Sequence, residues 1–224
     1  MRGILKIAGV GCLVVLLAIV AGIYALYRAS QHVPEFYRQA LQADRAAQSK
    51  ASDRMIQHAT ALANDVRKEG RWEAVFTAEE INGWLAVDLV KNHPGALPAS
   101  IRDPRVVIEP EQVMVACRFE EGKISGVVML AVEPYLQEPN VLALRIRKAR
   151  AGLLPLPLND FLDLATKAAA RAEIDLHWRQ ADGDPVAIFR IPPPRDVKNR
   201  VVSIDTIRLS AGQISLAGST ERKK

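Results

Sequence analysis

From Ile7 to Tyr27 the chain carries no charged side chain and almost nothing polar. An apolar run of about 20 residues, at ~1.5 Å rise per residue, matches the ~30 Å hydrocarbon core of a bilayer. The pattern predicts a membrane anchor over residues 7–27, with residues 1–28 forming a cytoplasmic tip and transmembrane anchor. Arg2 and Lys6 precede the run and only Arg28 follows it directly, which places the N-terminus in the cytoplasm and the bulk of the chain outside. A cleavable signal is the competing reading, but the run exceeds the usual ~7–15-residue signal core. Cys12 sits near its beginning with no signal core in front, which argues against lipidation.

Past the run the pattern turns polar and alanine-rich. Met55, Ile56, Ala59, Leu62, Ala63 and Val66 recur at three- and four-residue spacing, the mark of an amphipathic helix. Pro34 interrupts the earlier part, so residues 29–70 are expected as a helical stalk. In Phe76-Thr77-Ala78-Glu79-Glu80-Ile81, Thr77 as N-cap with Glu80 three residues on forms a capping box, and Phe76 staples to Ile81. A helix therefore starts at Ala78, buries Ile81, Trp84, Leu85 and Leu89, and stops at His93-Pro94-Gly95.

From Arg105 the period changes to two. Val113, Val115, Cys117 and Phe119 alternate with more polar positions before a turn at Glu120-Glu121-Gly122-Lys123. The return strand, Ile124 to Val132, is apolar on both faces, as in a strand that is covered on both sides or lines a greasy cavity. Pro134 and Pro139 bracket an expected loop, and Leu142, Leu144 and Ile146 form the next strand. A helix opening at Pro157 presents Phe161, Leu162, Leu164, Ala165, Ala168 and Ala172 on its apolar side. Two hairpins close the chain, one turning at Ala181-Asp182-Gly183-Asp184-Pro185 and one at Ser210-Ala211-Gly212-Gln213. Residues 71–224 thus read as one extracytoplasmic α+β domain.

Composition narrows the chemistry. The 224 residues are 49% hydrophobic and only 5% aromatic, a balance that suits helices on strands and disfavours stacking platforms for bases or sugars. A net charge of +5 is spread among 25 acidic residues instead of forming a basic stripe, so nucleic acid is not an expected partner. The four histidines, His32, His58, His93 and His177, show no ligand spacing. Neither a nucleophile elbow nor a phosphate-binding Gly-rich loop is present. Glu120 and Glu121, and Asp182 and Asp184, fall on turns where solvation explains them. No enzyme, cofactor or metal is expected.

Two segments carry a resemblance. Phe76-Thr77-Ala78-Glu79-Glu80-Ile81-Asn82-Gly83-Trp84-Leu85 after an apolar anchor, and Ala151-Gly152-Leu153-Leu154-Pro155-Leu156-Pro157 before a helix, resemble the corresponding stretches of bacterial YpmS-like membrane-anchored proteins, with one extra Leu in the second segment. The likeness spans about residues 71–218. It implies a domain similar to half of a tubular lipid-binding module, in which a curved antiparallel sheet wraps a long helix and leaves an apolar groove; it carries over no residue with an established binding role.

The fold expected is therefore α+β: an N-terminal transmembrane helix, then a curved antiparallel β-sheet packed on one or two long helices. The function expected is a single-pass, extracytoplasmic envelope module that binds lipid or another apolar ligand. The alternative is a close-packed scaffold or partner-binding subunit of an envelope complex. Under the binding reading the groove is lined by Val128, Leu130, Val132, Leu144, Ile146, Phe161, Leu162 and Ala165, with Trp84 near one end.

Overall fold

The computed structural model describes residues 21, 22, 24–122, 124–156, 158–171, 174–192 and 199–223. Residues 24–30 are helical and lead through a short loop into α1 (Glu35–Leu41) and α2 (Arg45–Val66). Asp44 caps α2 by accepting from the Ala47 amide at 3.0 Å. Strand β1 (Gly70–Thr77) runs into α3 (Ala78–Ala86), where the Thr77 hydroxyl accepts from the Glu80 amide and the Glu80 carboxylate accepts from the Thr77 amide. The backbone departs from helical geometry at Val87 (φ −113°), and a separate turn, α4 (Asp88–Asn92), follows. The expected single helix to His93 is thus two. Glu80 and Gly83 are the buried residues of α3, and of the expected stripe only Leu89, on α4, is buried.

Strands β2 (Ile101–Ile108), β3 (Val113–Glu121), β4 (Ile124–Glu138) and β5 (Val141–Ala151) form an antiparallel meander. A two-residue strand, β6 (Leu154–Pro155), folds back on the end of β5. Helix α5 (Leu158–Arg171) comes next, then the hairpin β7 (Leu176–Ala181) and β8 (Asp184–Arg190), which joins the sheet through β5–β8 pairing. Asp182 and Gly183 both take positive φ, as a two-residue hairpin turn requires. Strands β9 (Arg200–Ser210) and β10 (Gln213–Arg222) return to the beginning of the domain and pair with β1.

Two sheets result, ordered β2-β3-β4-β5-β8-β7 with β6 on β5, and β1-β10-β9. They meet at the β4–β5 turn, where the Asn140 side chain donates to Val202 O and accepts from the Ile204 amide, both at 2.8 Å. A second link runs from the Gly212 amide to Ile108 O at 2.9 Å. This corrects the expected architecture. Strand dominates, the sheet is split in two, and among the described residues no helix is long and apolar enough to cross a membrane. Most of the expected anchor, residues 7–20 and 23, lies outside the described residues.

The expected stalk contributes to the core. Tyr37 of α1 packs with Ala116 and Val127 on one face of the large sheet, and Val66 at the end of α2 packs with Trp72 and Val202 on the small one. Gly83 lets α3 lie directly on α2, because a Cβ there would stand 2.6 Å from the Ala51 Cβ and the Ser52 amide nitrogen. Pro134, expected in a loop, sits inside β4 opposite Leu144. Strand β3 begins at Val113, opposite Val132, so beyond it that side of β4 has no ladder partner among the described residues, and a missing N–H there costs no ladder bond.

Candidate functional site

Register decides which side chains share a face. Val132 pairs with Ile146 while the neighbouring Ala131 pairs with Lys148, which leaves Arg147 as the extra residue of a β-bulge. Through that bulge Leu130 and Val132 of β4 stay on the face of Leu144 and Ile146 of β5. Leu144 pairs with Ala187, Ala187 with Trp178, and Phe189 with Leu176, so the same face continues across β8 and β7. Without the bulge, Ala149, the β5 partner of Leu130, would fall on the opposite face from Leu144 and Ile146.

Helix α5 lies over this face with its small residues, Ala165 and Ala169, toward the sheet, and Ile174 closes the corner before β7. Between helix and sheet is a cleft of about 360 Å³. Leu130, Val132, Leu144 and Ile146 form its floor on β4 and β5. Leu176, Trp178, Ala187 and Phe189 form the wall on β7 and β8, and among the described residues no charged side chain lines it. The Trp178 indole N–H donates to Thr166 Oγ1 at 2.8 Å, and the Thr166 hydroxyl donates to Leu162 O at 2.8 Å. That chain of two hydrogen bonds holds α5 against β7. The β7–β8 wall is also tied from the hairpin tip: Arg147 pairs with Asp184 and with Glu133, each at 2.9 Å, and Arg145 approaches Asp182 at 3.4 Å. The hydrogen bond to Asp184 raises the Arg147 pKa.

Five of the nine sequence candidates, Leu130, Val132, Leu144, Ile146 and Ala165, come together in the cleft. Val128 shares the strand face of Leu130 but lies two residues outside the lining, opposite Cys117 and Ala151. Burial pushes the Cys117 thiol pKa up. Leu162 is half-buried on α5 and outside the lining, and the Phe161 side chain is outside the described residues. Trp84 is elsewhere. It stacks against His93 with ring centroids 5.7 Å apart and borders a surface groove made by Met55, Ile56 and Ala59 of α2, because α3 packs on α2 and β2 and not on the cleft. The lining residues not anticipated are Ala169, Ile174, Leu176, Trp178, Ala187 and Phe189. Alternation marks Ile174, Leu176 and Trp178 as one strand face, but nothing local says that β8 will carry that face to β5.

A larger cleft of about 780 Å³ lies between the two sheets and has a different character, with Glu109, Glu111, Glu133, Arg147 and Arg208 among its walls. Among the described residues no three His, Cys, Asp or Glu side chains gather to hold a metal ion. No family model, curated protein or solved structure matches this chain.

Proposed function

We propose that this protein is a non-enzymatic module that holds an acyl chain or another elongated apolar ligand in the cleft between α5 and the large sheet. One observation carries the reading: a cleft of about 360 Å³ whose described lining residues are all uncharged, within the ~300–1,000 Å³ range of ligand pockets. The floor supports it further, since Val128, Leu130, Val132 and Leu144 are only half-buried in the ligand-free chain. The same proposal includes kinship with the YpmS-like proteins and placement at the extracytoplasmic face of a membrane. Support for the placement is the charge of Arg2 and Lys6 before the apolar stretch 7–27.

The second reading, a scaffold or partner-binding subunit of an envelope complex, draws on Ile146 at 3% and Ala187 at 7% exposure, side chains that protein already covers. The two separate on Trp178, which lines the cleft, whereas Trp72 and Trp84 do not. Titration with a brominated long-chain fatty acid quenches Trp178 emission in the wild type and loses that component in Trp178→Phe. An emission unchanged by the brominated chain would overturn the binding reading and leave the scaffold.

A further inference from the structure

The position of the cleft relative to the N-terminal helical stretch carries an inference about where its ligand comes from, and it rests on the ligand-binding reading above. Two glycines fix the geometry. A Cβ on Gly152, whose φ is +60°, would stand 2.3 Å from Ala29 O and 2.6 Å from Ser30 O, and the Leu153 amide donates to Ala29 O at 2.9 Å. Gly126 has Ser30 O at 3.6 Å from the place of its own Cβ. The end of the helical stretch 24–30 is therefore laid directly on the sheet, on the face toward which the Gly126 Cβ would point.

That face is the one that forms the cleft floor, because Gly126, Val128 and Leu130 alternate along β4 with residues of the other face. Starting at Ser30, the face runs over Gly126 and the half-buried Val128 to Leu130, the nearest floor residue of the cleft. Four residues of strand separate Gly126 from Leu130, about 13 Å at ~3.3 Å per residue. The strip is apolar throughout.

On the outer side of the same junction stand Tyr24, Leu26 and Tyr27, exposed at 62%, 57% and 60%, and Leu153, exposed at 52% and bonded to the end of the stretch. Other large exposed apolar side chains, such as Val90 and Val201, are on separate elements. Tyr24 and Tyr27, three apart, lie on one helix face. Tyrosine combines an apolar ring with a polar tip, which suits the headgroup level of a bilayer. Arg28, exposed beside them, adds a cation for anionic headgroups. The sequence immediately upstream is uncharged back to Ile7.

We propose that Tyr24, Leu26, Tyr27 and Leu153 seat the domain in the headgroup layer of a lipid bilayer, so that an acyl chain passes beside the Ser30–Gly126 contact and along Val128 and Leu130 from that layer into the cleft. The ligand is then a membrane lipid taken directly from the bilayer and not a solute from the aqueous phase. The β4–β5 turn, at the other end of the strand pair, points away from the membrane.

The test uses the full chain in phosphatidylcholine–phosphatidylglycerol vesicles, with Cys12 and Cys117 replaced by Ser and a nitrobenzoxadiazole probe attached at Leu153→Cys. Lipids brominated near the headgroup end of the acyl chain quench this probe strongly, lipids brominated near the chain terminus quench it less, and a probe at Gln137→Cys, exposed at the end of β4 beside the β4–β5 turn, is quenched by neither. Equal insensitivity at both positions would overturn the seat. As a second arm, Tyr24→Glu with Tyr27→Glu, both exposed and dispensable for packing, slows lipid loading from these anionic vesicles about tenfold or more, given ~1 kcal/mol per charge near such a surface. An unchanged loading rate would contradict the entry path. Lipid content measured on the same samples separates the two ideas. A quenched probe on a lipid-free protein keeps the seat and removes the cleft reading, whereas an unquenched probe on a lipid-loaded protein does the reverse.

Discussion

The indole of Trp178 on β7 and the hydroxyl of Thr166 on α5 are joined by a 2.8 Å hydrogen bond that spans the side of the apolar cleft. Among the described side chains α5 presents Ala165 and Ala169 to the cleft, and this polar contact sets how far the helix stands off the cleft floor. The hydroxyl passes the bond on to Leu162 O, which fixes its donor direction and leaves a lone pair for the indole.

Replacement Thr166→Val keeps the shape of the side chain and removes that acceptor. A partly exposed side-chain hydrogen bond contributes ~0.5–1.5 kcal/mol, so the melting temperature falls by about 1–6 °C for a chain of this size. Hydrogen exchange should rise along α5 and leave β3 and β4 unchanged. A uniform rise across the domain would show that α5 is not held in this way.

Packing of α2 on α3 depends on the absence of a side chain at Gly83. In Gly83→Ala the new Cβ meets Ala51 Cβ and the Ser52 amide nitrogen at 2.6 Å, and the helices must part. Overpacking of this kind costs about 1–3 kcal/mol, even though Ala has the higher helix propensity by ~1 kcal/mol. Chemical denaturation of Gly83→Ala measures the balance, and a stabilised variant would mean that α2 is not seated where it is described.

Tyr37 supplies a pH signature. It is 1% exposed, its hydroxyl donates to Asp103 O at 2.9 Å, and burial, helped by Asp103, pushes its pKa up to about 12 from an ordinary 10.0. The folded state thus holds this proton more tightly than the unfolded one, so the associated stability is complete below pH 10 and is lost as pH rises toward 12. A shift of about two units is worth roughly 3 kcal/mol. Denaturant midpoints of wild type should fall across that window, and Tyr37→Phe should lack this component. Parallel pH profiles would show that Tyr37 titrates as though exposed.

Filling the cleft tests its use without unfolding the protein. Ala165→Phe places a ring over Leu130 and Ile146 in space that is now empty. It should leave stability within about 1 kcal/mol of wild type, or raise it through added apolar contact, while lipid uptake falls by an order of magnitude. Unimpaired uptake in a folded Ala165→Phe would move the ligand out of this cleft.

What could be foreseen in the sequence divides along the range of the interactions. The Thr77–Glu80 capping box and the turns at Gly122, Gly183 and Gly212 are local, and each is visible in four or five residues. Strand β1 is not, because its partner is β10, at the far end of the chain, with Gly70 opposite Thr220. The separation into two sheets follows from that pairing and from Asn140, whose side chain recruits β9, and neither has a local signature. Within the cleft, Leu130, Val132, Leu144 and Ile146 were accessible from alternation along two neighbouring strands. The opposite wall depends on the β5–β8 register, which sets Leu144 opposite Ala187 and has no local signature. Trp84 was misplaced because an amphipathic helix shows which face it buries but not against what. In its case the surface was α2, drawn in by Gly83.

The central claim is that the cleft under α5 carries a lipid. Native mass spectrometry with lipid extraction on the full chain purified gently from its expression host measures this directly. The account predicts one acyl lipid per chain in the wild type, largely absent from Ala165→Phe at equal folded yield. A wild-type mass without lipid, together with no uptake from added vesicles, would contradict it and leave the module as a scaffold.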